Sequence, residues 1–304
     1  MTAPAKDTVV AGRTMRALMS SVIDYAGLFP PAGLATADAV VRYDSYRRGV
    51  HAWMLGRFIV PVARLEEFVG AFAALGAHAD SAAKPWLLSV IATATDAAAL
   101  AVFNARYGRR TLIDTVEAPV VRAEDLPALG ELAKSYTVFA EVRVDDDPAP
   151  FVALLARHGV RAKIRTGGVN ADAFPNPEQV ARFIAACRAA GVAFKATAGL
   201  HHAWRADYPL TYEPASERAT MHGFANVLLA TAAALGGADA GELADVLGAR
   251  EGRGFEIEER GAVLPSGRAV PAELIAAART SGVVSFGSCS FDEPVAELIQ
   301  RGLL

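Results

Sequence analysis

Short apolar runs alternate with stretches of helical period along the whole chain. The pattern predicts a helix over 14–20, strand one in SVIDYAGLF, a helix over 36–48, and strand two in AWMLGRFIVPV. A helix over 65–75 and strand three in PWLLSVIATA follow, with Asp96 as the N-cap of a helix that runs to Tyr107. Next come strand four in RTLIDTVEAP, a helix over 125–134, strand five in TVFAEVRV, and a helix over 150–158 ended by Gly159. The stretch 161–202 reads as strand six, a glycine turn, a helix and strand seven. A helix over 219–235, a late strand eight in SGVVSFGSCSF and a last helix over 293–301 complete the chain. Eight strand–helix units in order predict an α/β protein, a (β/α)8 TIM barrel, closed and parallel. The alternative, an open doubly wound sheet, lacks its G-x-G-x-x-G loop here.

Two segments depart from the repeat. The connection after strand seven, 201–221, is long and carries Trp204, Tyr208 and Tyr212, with His222 just beyond. Loops that leave barrel strands lie on the catalytic face, so this one is expected to act as a lid or pocket wall, or as a surface loop anchored by its aromatics. The second is an insert over 241–280, read as a helix, a hairpin turning at P-S-G and a second helix near Pro271. It enters strand eight from the opposite face, so it is read as structural, or as a subunit contact in a homo-oligomer. With 304 residues, the whole chain, 1–304, fits one barrel domain with this insert inside it.

Charge adds exclusions. A formal net charge of −3 gives no electrostatic case for nucleic acid or an anionic membrane. The N-terminal segment lacks the apolar core of a signal peptide, and the most apolar helical run, 227–238, is too short to span a bilayer. Cys187 and Cys289 make no disulfide framework and read as reduced, buried residues of a cytoplasmic protein.

Lysine is the informative residue. Of 30 basic residues only Lys6, Lys84, Lys134, Lys163 and Lys195 are lysine. Lys163 (A-K-I-R-T-G-G) and Lys195 (F-K-A-T-A-G-L) lie 32 residues apart, one βα repeat, each on a strand. Their neighbours Ala162, Ile164, Phe194 and Ala196 are apolar, so strand alternation turns both amines toward the barrel axis. An amine there is either a phosphate or carboxylate partner or a nucleophile toward carbonyls. The same parity brings Asp24, Asp114, Glu141 and Arg165 to the axis, with Arg57 and Arg143 as weaker candidates. Acids and bases converging from several strands point to an active site.

These residues resemble the class I, Schiff-base aldolases of the deoxyribose-phosphate aldolase type, which are single (β/α)8 barrels. That family carries I-D-H-T-L-like, D-M-V, strand-ending Glu, K-x-x-T-G, K-x-x-G-G-(I/V)-R and F-G-x-S-S segments in strand order. The corresponding segments here are I-D-Y-A-G-L (23–28), D-T-V (114–116), F-A-E (139–141), K-I-R-T-G (163–167), K-A-T-A-G-L-H (195–201) and F-G-S-C-S (286–290). The resemblance implies a carbon–carbon lyase with no cofactor and a small carbonyl substrate. Lys163 would form the imine, Lys195 would lower its pKa and relay protons, and Asp114, supported by Asp24, would manage protons on the intermediates. Glu141 belongs to the same cluster. Substrate contacts would come from Arg57, Arg165, Thr166, Gly167, Gly168, Thr197, Gly199, His201, Gly287 and Ser288. The family's phosphate-binding Gly-Gly, Arg and Ser-Ser are Ala198-Gly199, His201 and Cys289-Ser290 here, so a different, unphosphorylated oxo compound fits as well.

Three other readings stay open. His201 and His202, with Glu141, Asp114 or His222, are candidate metal ligands of a metal-dependent lyase or hydrolase, although no H-x-H or H-E-x-x-H spacing is present. The R-T-G-G and F-G-S loops with the lysines as anion binders would make a phosphate-handling transferase. The last is a barrel that only binds a ligand.

Overall fold

The computed structural model describes residues 12–76, 84–119, 121–250 and 254–304. The N-terminal segment read for a signal peptide lies outside them up to residue 11, as do 251–253 of the insert. In chain order the strands are β1 (Ile23–Tyr25), β2 (Leu55–Pro61), β3 (Trp86–Ile91), β4 (Thr111–Ala118), β5 (Thr137–Glu141), β6 (Arg161–Arg165) and β7 (Phe194–Thr197). They are followed by β8 (Ala206–Pro209), β9 (Arg218–Met221), β10 (Glu256–Glu258), β11 (Gly261–Val263), β12 (Ala269–Pro271) and β13 (Val283–Ser288). The eight parallel strands β1 to β7 and β13 close into a barrel, with β13 between β7 and β1. The fold is a (β/α)8 TIM barrel, an architecture that commonly hosts enzymes.

The helices follow the apolar periods. Helix Pro177–Ala190 shows the local logic. Asn176 and Gln179 cap its first turn reciprocally, Pro177 sets the first helical φ, and Gly191 at φ 65° ends it in the left-handed region. Between the barrel and its early helices, Tyr43, Phe58, Phe68 and Trp86 pack edge-on or tilted in the buried core. Helix Phe224–Leu235 is buried over nearly its whole circumference because helices Pro177–Ala190, Ala240–Gly248 and Ala272–Ser281 pack on it. That environment accounts for its being the most apolar run in the chain. No helix of the described residues is long and apolar enough to cross a membrane.

Two predicted elements differ. The helix expected from 219 starts at Phe224, because 218–221 form β9, paired antiparallel with β8. The loop after strand seven is therefore a hairpin. In the insert, the expected turn at Pro265-Ser266-Gly267 joins β11 to β12, with Gly267 at φ 81°, and β10 adds a third strand. This small sheet packs beside the N-terminal helix Arg13–Met19.

Candidate active site

Lys163 on β6 and Lys195 on β7 are direct register partners. Both are buried, as are Ala162, Ile164, Phe194 and Ala196, which alternate with them and pack outward. The lysines then meet different surroundings. Lys195 is fully buried, and its Nζ donates to Asp24 Oδ2 at 2.7 Å and to Glu117 Oε1 at 2.7 Å. Asp24 is fixed further by Ser285 Oγ at 2.8 Å and by the backbone N–H of Arg57 at 2.8 Å. The carboxylate leans so close over β2 that a Cβ at Gly56 would stand 2.3 Å from Oδ1, which explains the glycine. Glu117 also accepts from Ser89 Oγ at 2.7 Å.

Burial alone would force these charges to neutralise, but each has a fixed opposite partner. Burial works to raise the Glu117 pKa, yet Lys195, Lys163 and the Ser89 hydroxyl outweigh it and hold the group at about 2. Burial likewise works to lower the Lys195 pKa, and Asp24 and Glu117 push it above its ordinary value instead. Lys195 is a permanent cation between two carboxylates.

Lys163 stands at the boundary between this ionic layer and open space. Its Nζ lies 3.3 Å from Glu141 Oε2 and 3.7 Å from Glu117 Oε2. Lys163 and Glu117 line a cavity of about 470 Å³ at the C-terminal ends of the strands. The cavity walls are mainly apolar, including Phe29, Ile59, Ile91 and Met221, and hairpin β8–β9 closes one side with Leu210 and Tyr212. The loops after β6 and β7 are tied together by the Thr166 hydroxyl, which donates to Ala198 O at 2.6 Å. Ala198 itself has φ 59°, a left-handed conformation that costs an L-residue about 1 kcal/mol or more. At Gly199, φ 72°, a Cβ would come within 3.1 Å of Gly167 Cα, so the two loops touch backbone to backbone.

The expected site residues divide into three groups. Lys163, Lys195, Asp24 and Glu141 converge as the strand parity predicts. Arg165, Gly168, Thr197, Gly199, His201 and Gly287 line the cavity, while Thr166, Gly167 and Ser288 lie buried behind it. Asp114 and Arg57 are elsewhere: they form a two-pronged ion pair at 2.7 Å and 2.7 Å, and neither lines the cavity. The pair sits toward the N-terminal end of the barrel. The neighbouring Thr115 is level with Thr137, the first residue of β5, and Arg161, the first of β6, senses the Arg57 charge.

The carboxylate that β4 sends into the cluster is Glu117, which the sequence reading passed over. A register shift against β3 occurs where Ile113 pairs with Leu88 and Thr115 with Ser89, leaving Asp114 as the extra residue. The shift reverses the parity of everything after it, so Glu117 and not Ala118 faces the axis. The available signal was a lone glutamate in an otherwise apolar strand end.

The histidines do not converge. His201 Nδ1 meets Ser288 Oγ at 3.2 Å, and burial and the adjacent His202 hold its pKa down to about 4. His202 bonds Glu297 and stacks on Tyr208, while His222 Nε2 donates to Pro175 O at 2.6 Å. Among the described residues no three His, Cys, Asp or Glu side chains are grouped to hold a metal ion. Comparisons of the chain with protein-family models, with curated proteins and with solved structures gave no match.

Proposed function

We propose that the protein is a lyase of the aldolase kind, making or breaking a carbon–carbon bond in a small oxo compound through an imine on Lys163. One observation carries this reading. Among the described residues, Lys163 is the single primary amine lining the cavity, with a carboxylate at 3.3 Å able to take its proton.

The chemistry follows from the neighbours. Glu141 accepts a proton from the Lys163 ammonium, and the freed amine adds to the substrate carbonyl carbon, one of its own N–H protons passing to the oxygen to give the neutral adduct. Glu141 then returns its proton to the hydroxyl of the adduct, and water leaves as the iminium forms. The iminium draws in the electron pair of the bond to be cleaved, giving an enamine. Glu141, ionised again, takes the hydroxyl proton of the departing carbonyl fragment and passes it to the enamine carbon, and water then hydrolyses the iminium to free Lys163. Glu141 is placed for these transfers, 3.3 Å from the amine against 3.7 Å for Glu117, and Glu117, a carboxylate held at about 2, makes a poor base. Glu117 instead stays anionic beside the developing iminium and stabilises it.

The part of Lys195 changes in this reading. The resemblance implied that its charge would press directly on Lys163, but two carboxylates neutralise that charge, and one of them touches both lysines. Lys195 fixes the Asp24 and Glu117 side chains in place.

Borohydride reduction in the presence of small aldehydes and ketones tests the proposal. The expected result is a secondary amine whose mass maps to the peptide holding Lys163. A stable adduct on Lys195, or catalytic activity that survives Lys163→Met, would overturn it.

A further inference from the structure

We infer that the natural substrate is a short oxo acid, its carboxylate seated on Arg165 and lying one or two carbons from the carbonyl that Lys163 captures. The inference rests on the imine reading above and adds the substrate class to it.

Arg165 is two residues beyond Lys163 on β6, so both side chains leave the same face of the strand, and both line the cavity. Their Cα atoms are about 6.6 Å apart at the rise of a parallel strand. The side chains are of similar length, so amine and guanidinium can rise side by side. Allowing roughly 1.5 Å for the new C–N bond and about 4 Å for a guanidinium–carboxylate contact leaves about 1 Å between parallel side chains, and an exposed Arg165 that leans outward widens this to fit one or two carbons.

Arg165 also differs from the other cations near the barrel axis. Lys195 is neutralised by Asp24 and Glu117, Lys163 lies against Glu141, and Arg57 is forked onto Asp114. Among the described residues Arg165 forms no ion pair and no hydrogen bond, and its side chain is exposed at the cavity. A guanidinium in that position is a ready carboxylate fork.

The opposite wall offers an anion nothing comparable. His201 is kept neutral by its burial, burial pushes the Cys289 thiol and the Tyr212 phenol upward, and burial raises Glu293 toward its protonated form. A distant phosphate would therefore find no lysine or arginine on that wall among the described residues. The remaining surface, from Phe29, Ile91, Leu210 and Met221, suits a short apolar substituent.

The test is borohydride trapping of the intact protein with pyruvate and acetoacetate, set against acetone and acetaldehyde as neutral counterparts and glycolaldehyde phosphate as a phosphorylated one. The expected result is half-saturation of the Lys163 adduct at least about tenfold lower for the acids than for acetone. Arg165→Gln should bring the half-saturation of the acids level with that of acetone measured in the same variant, and Arg165→Lys should restore part of the difference. Propionate should compete with pyruvate in the wild type and not in Arg165→Gln. Thermal midpoints check that the variants fold, which the absence of a partner for Arg165 favours. Equal saturation by neutral ketones, an Arg165→Gln variant that binds the acids as well as before, or preference for the phosphorylated aldehyde would overturn the inference alone. Acetaldehyde needs no anion seat, so no adduct from acetaldehyde or any other probe would overturn the imine reading and this inference with it.

Discussion

Two ionic clusters occupy the strands of this barrel, and they are built from the same kinds of residue. Toward the N-terminal end, Arg57 and Asp114 form a closed fork at 2.7 Å, each side chain 28% exposed and each satisfying the other. Toward the C-terminal end, two lysines share Asp24, Glu117 and Glu141 in a layer that is almost wholly buried, and one of those lysines opens onto a cavity. Charge inside a barrel is not by itself a sign of chemistry. The lower pair has neither the cavity beside it nor a group left over. The upper cluster has both, and that difference separates a structural ion pair from a candidate catalyst.

The largest expected effect comes from breaking the upper cluster at its open member. Lys163→Met should abolish borohydride trapping and turnover outright, and the fold should persist because Lys195 and Ser89 still hold Glu117. Adduct mass and turnover are the measurements. Turnover persisting in a folded variant would erase the distinction between the clusters.

Removing the closed member should instead destabilise the fold. Lys195→Met leaves Asp24 buried without its cation and Glu117 with Lys163 alone at 3.7 Å, a change that costs about 3–5 kcal/mol. Denaturant unfolding reads it, and adding Glu117→Gln should recover part of the loss.

The same layer sets a pH window. Glu117 falls from 4.5 to about 2 on folding, so its stabilisation is complete above the unfolded value and disappears as pH drops from 4.5 toward 2. The amount is on the order of 3 kcal/mol. Lys195 is shifted upward from 10.5, so its share is complete below that value and is lost only as pH climbs through the folded pKa. Thermal midpoints should therefore decline on both sides of a broad plateau. Glu117→Gln should flatten the acid limb, and an unchanged limb would show that other carboxylates govern it.

At the lower end, Asp114→Asn should cost only about 1–2 kcal/mol, since a partly exposed fork is lost but Arg57 keeps an oxygen acceptor. Trapping at Lys163 should be unchanged. A large loss of trapping would return Asp114 to the role the family resemblance implied and erase the contrast between the two ends.

Why the sequence placed Asp114 in the wrong cluster is physical. Strand order, the pairing of Lys163 with Lys195 and the inward turn of Asp24 and Glu141 all follow from the two-residue period of regular strands, and they are observed. A period of two holds only until one extra residue enters. The bulge at Asp114 leaves no mark in residue type, because Asp-Thr-Val reads as ordinary strand, and it moved the inward carboxylate to Glu117. Hairpin β8–β9 was hidden for a related reason. Arg218–Met221 becomes a strand through its partner Ala206–Pro209, and pairing across a loop is invisible to local periodicity. The P-S-G turn of the insert was legible because turn chemistry is local.

The smallest effect tests whether the rim of the upper site is held as firmly as its ionic floor. Thr166 is fully buried and donates to Ala198 O at 2.6 Å, and Ala198 is one of two non-glycine residues with positive φ among those described. Thr166→Val keeps the shape of the side chain and removes the donor, so it should cost about 1 kcal/mol by the usual worth of one hydrogen bond. With that bond gone, the Ala198 peptide is free to relax toward negative φ, which would displace Thr197 and Gly199 at the cavity wall. Half-saturation of the Lys163 adduct should then rise a few-fold, about the consequence of losing one positioning contact. Adding Ala198→Gly separates strain from positioning. Glycine accepts φ 59° without steric cost but gives up chain entropy in the unfolded state, and these two terms are similar in size, about 1 kcal/mol each. The double variant should therefore match the single one in stability and trap less well, because glycine permits the left-handed peptide without enforcing it. Trapping restored to the wild-type level would mean that relief of strain, and not the Thr166 hydrogen bond, sets the geometry of the rim.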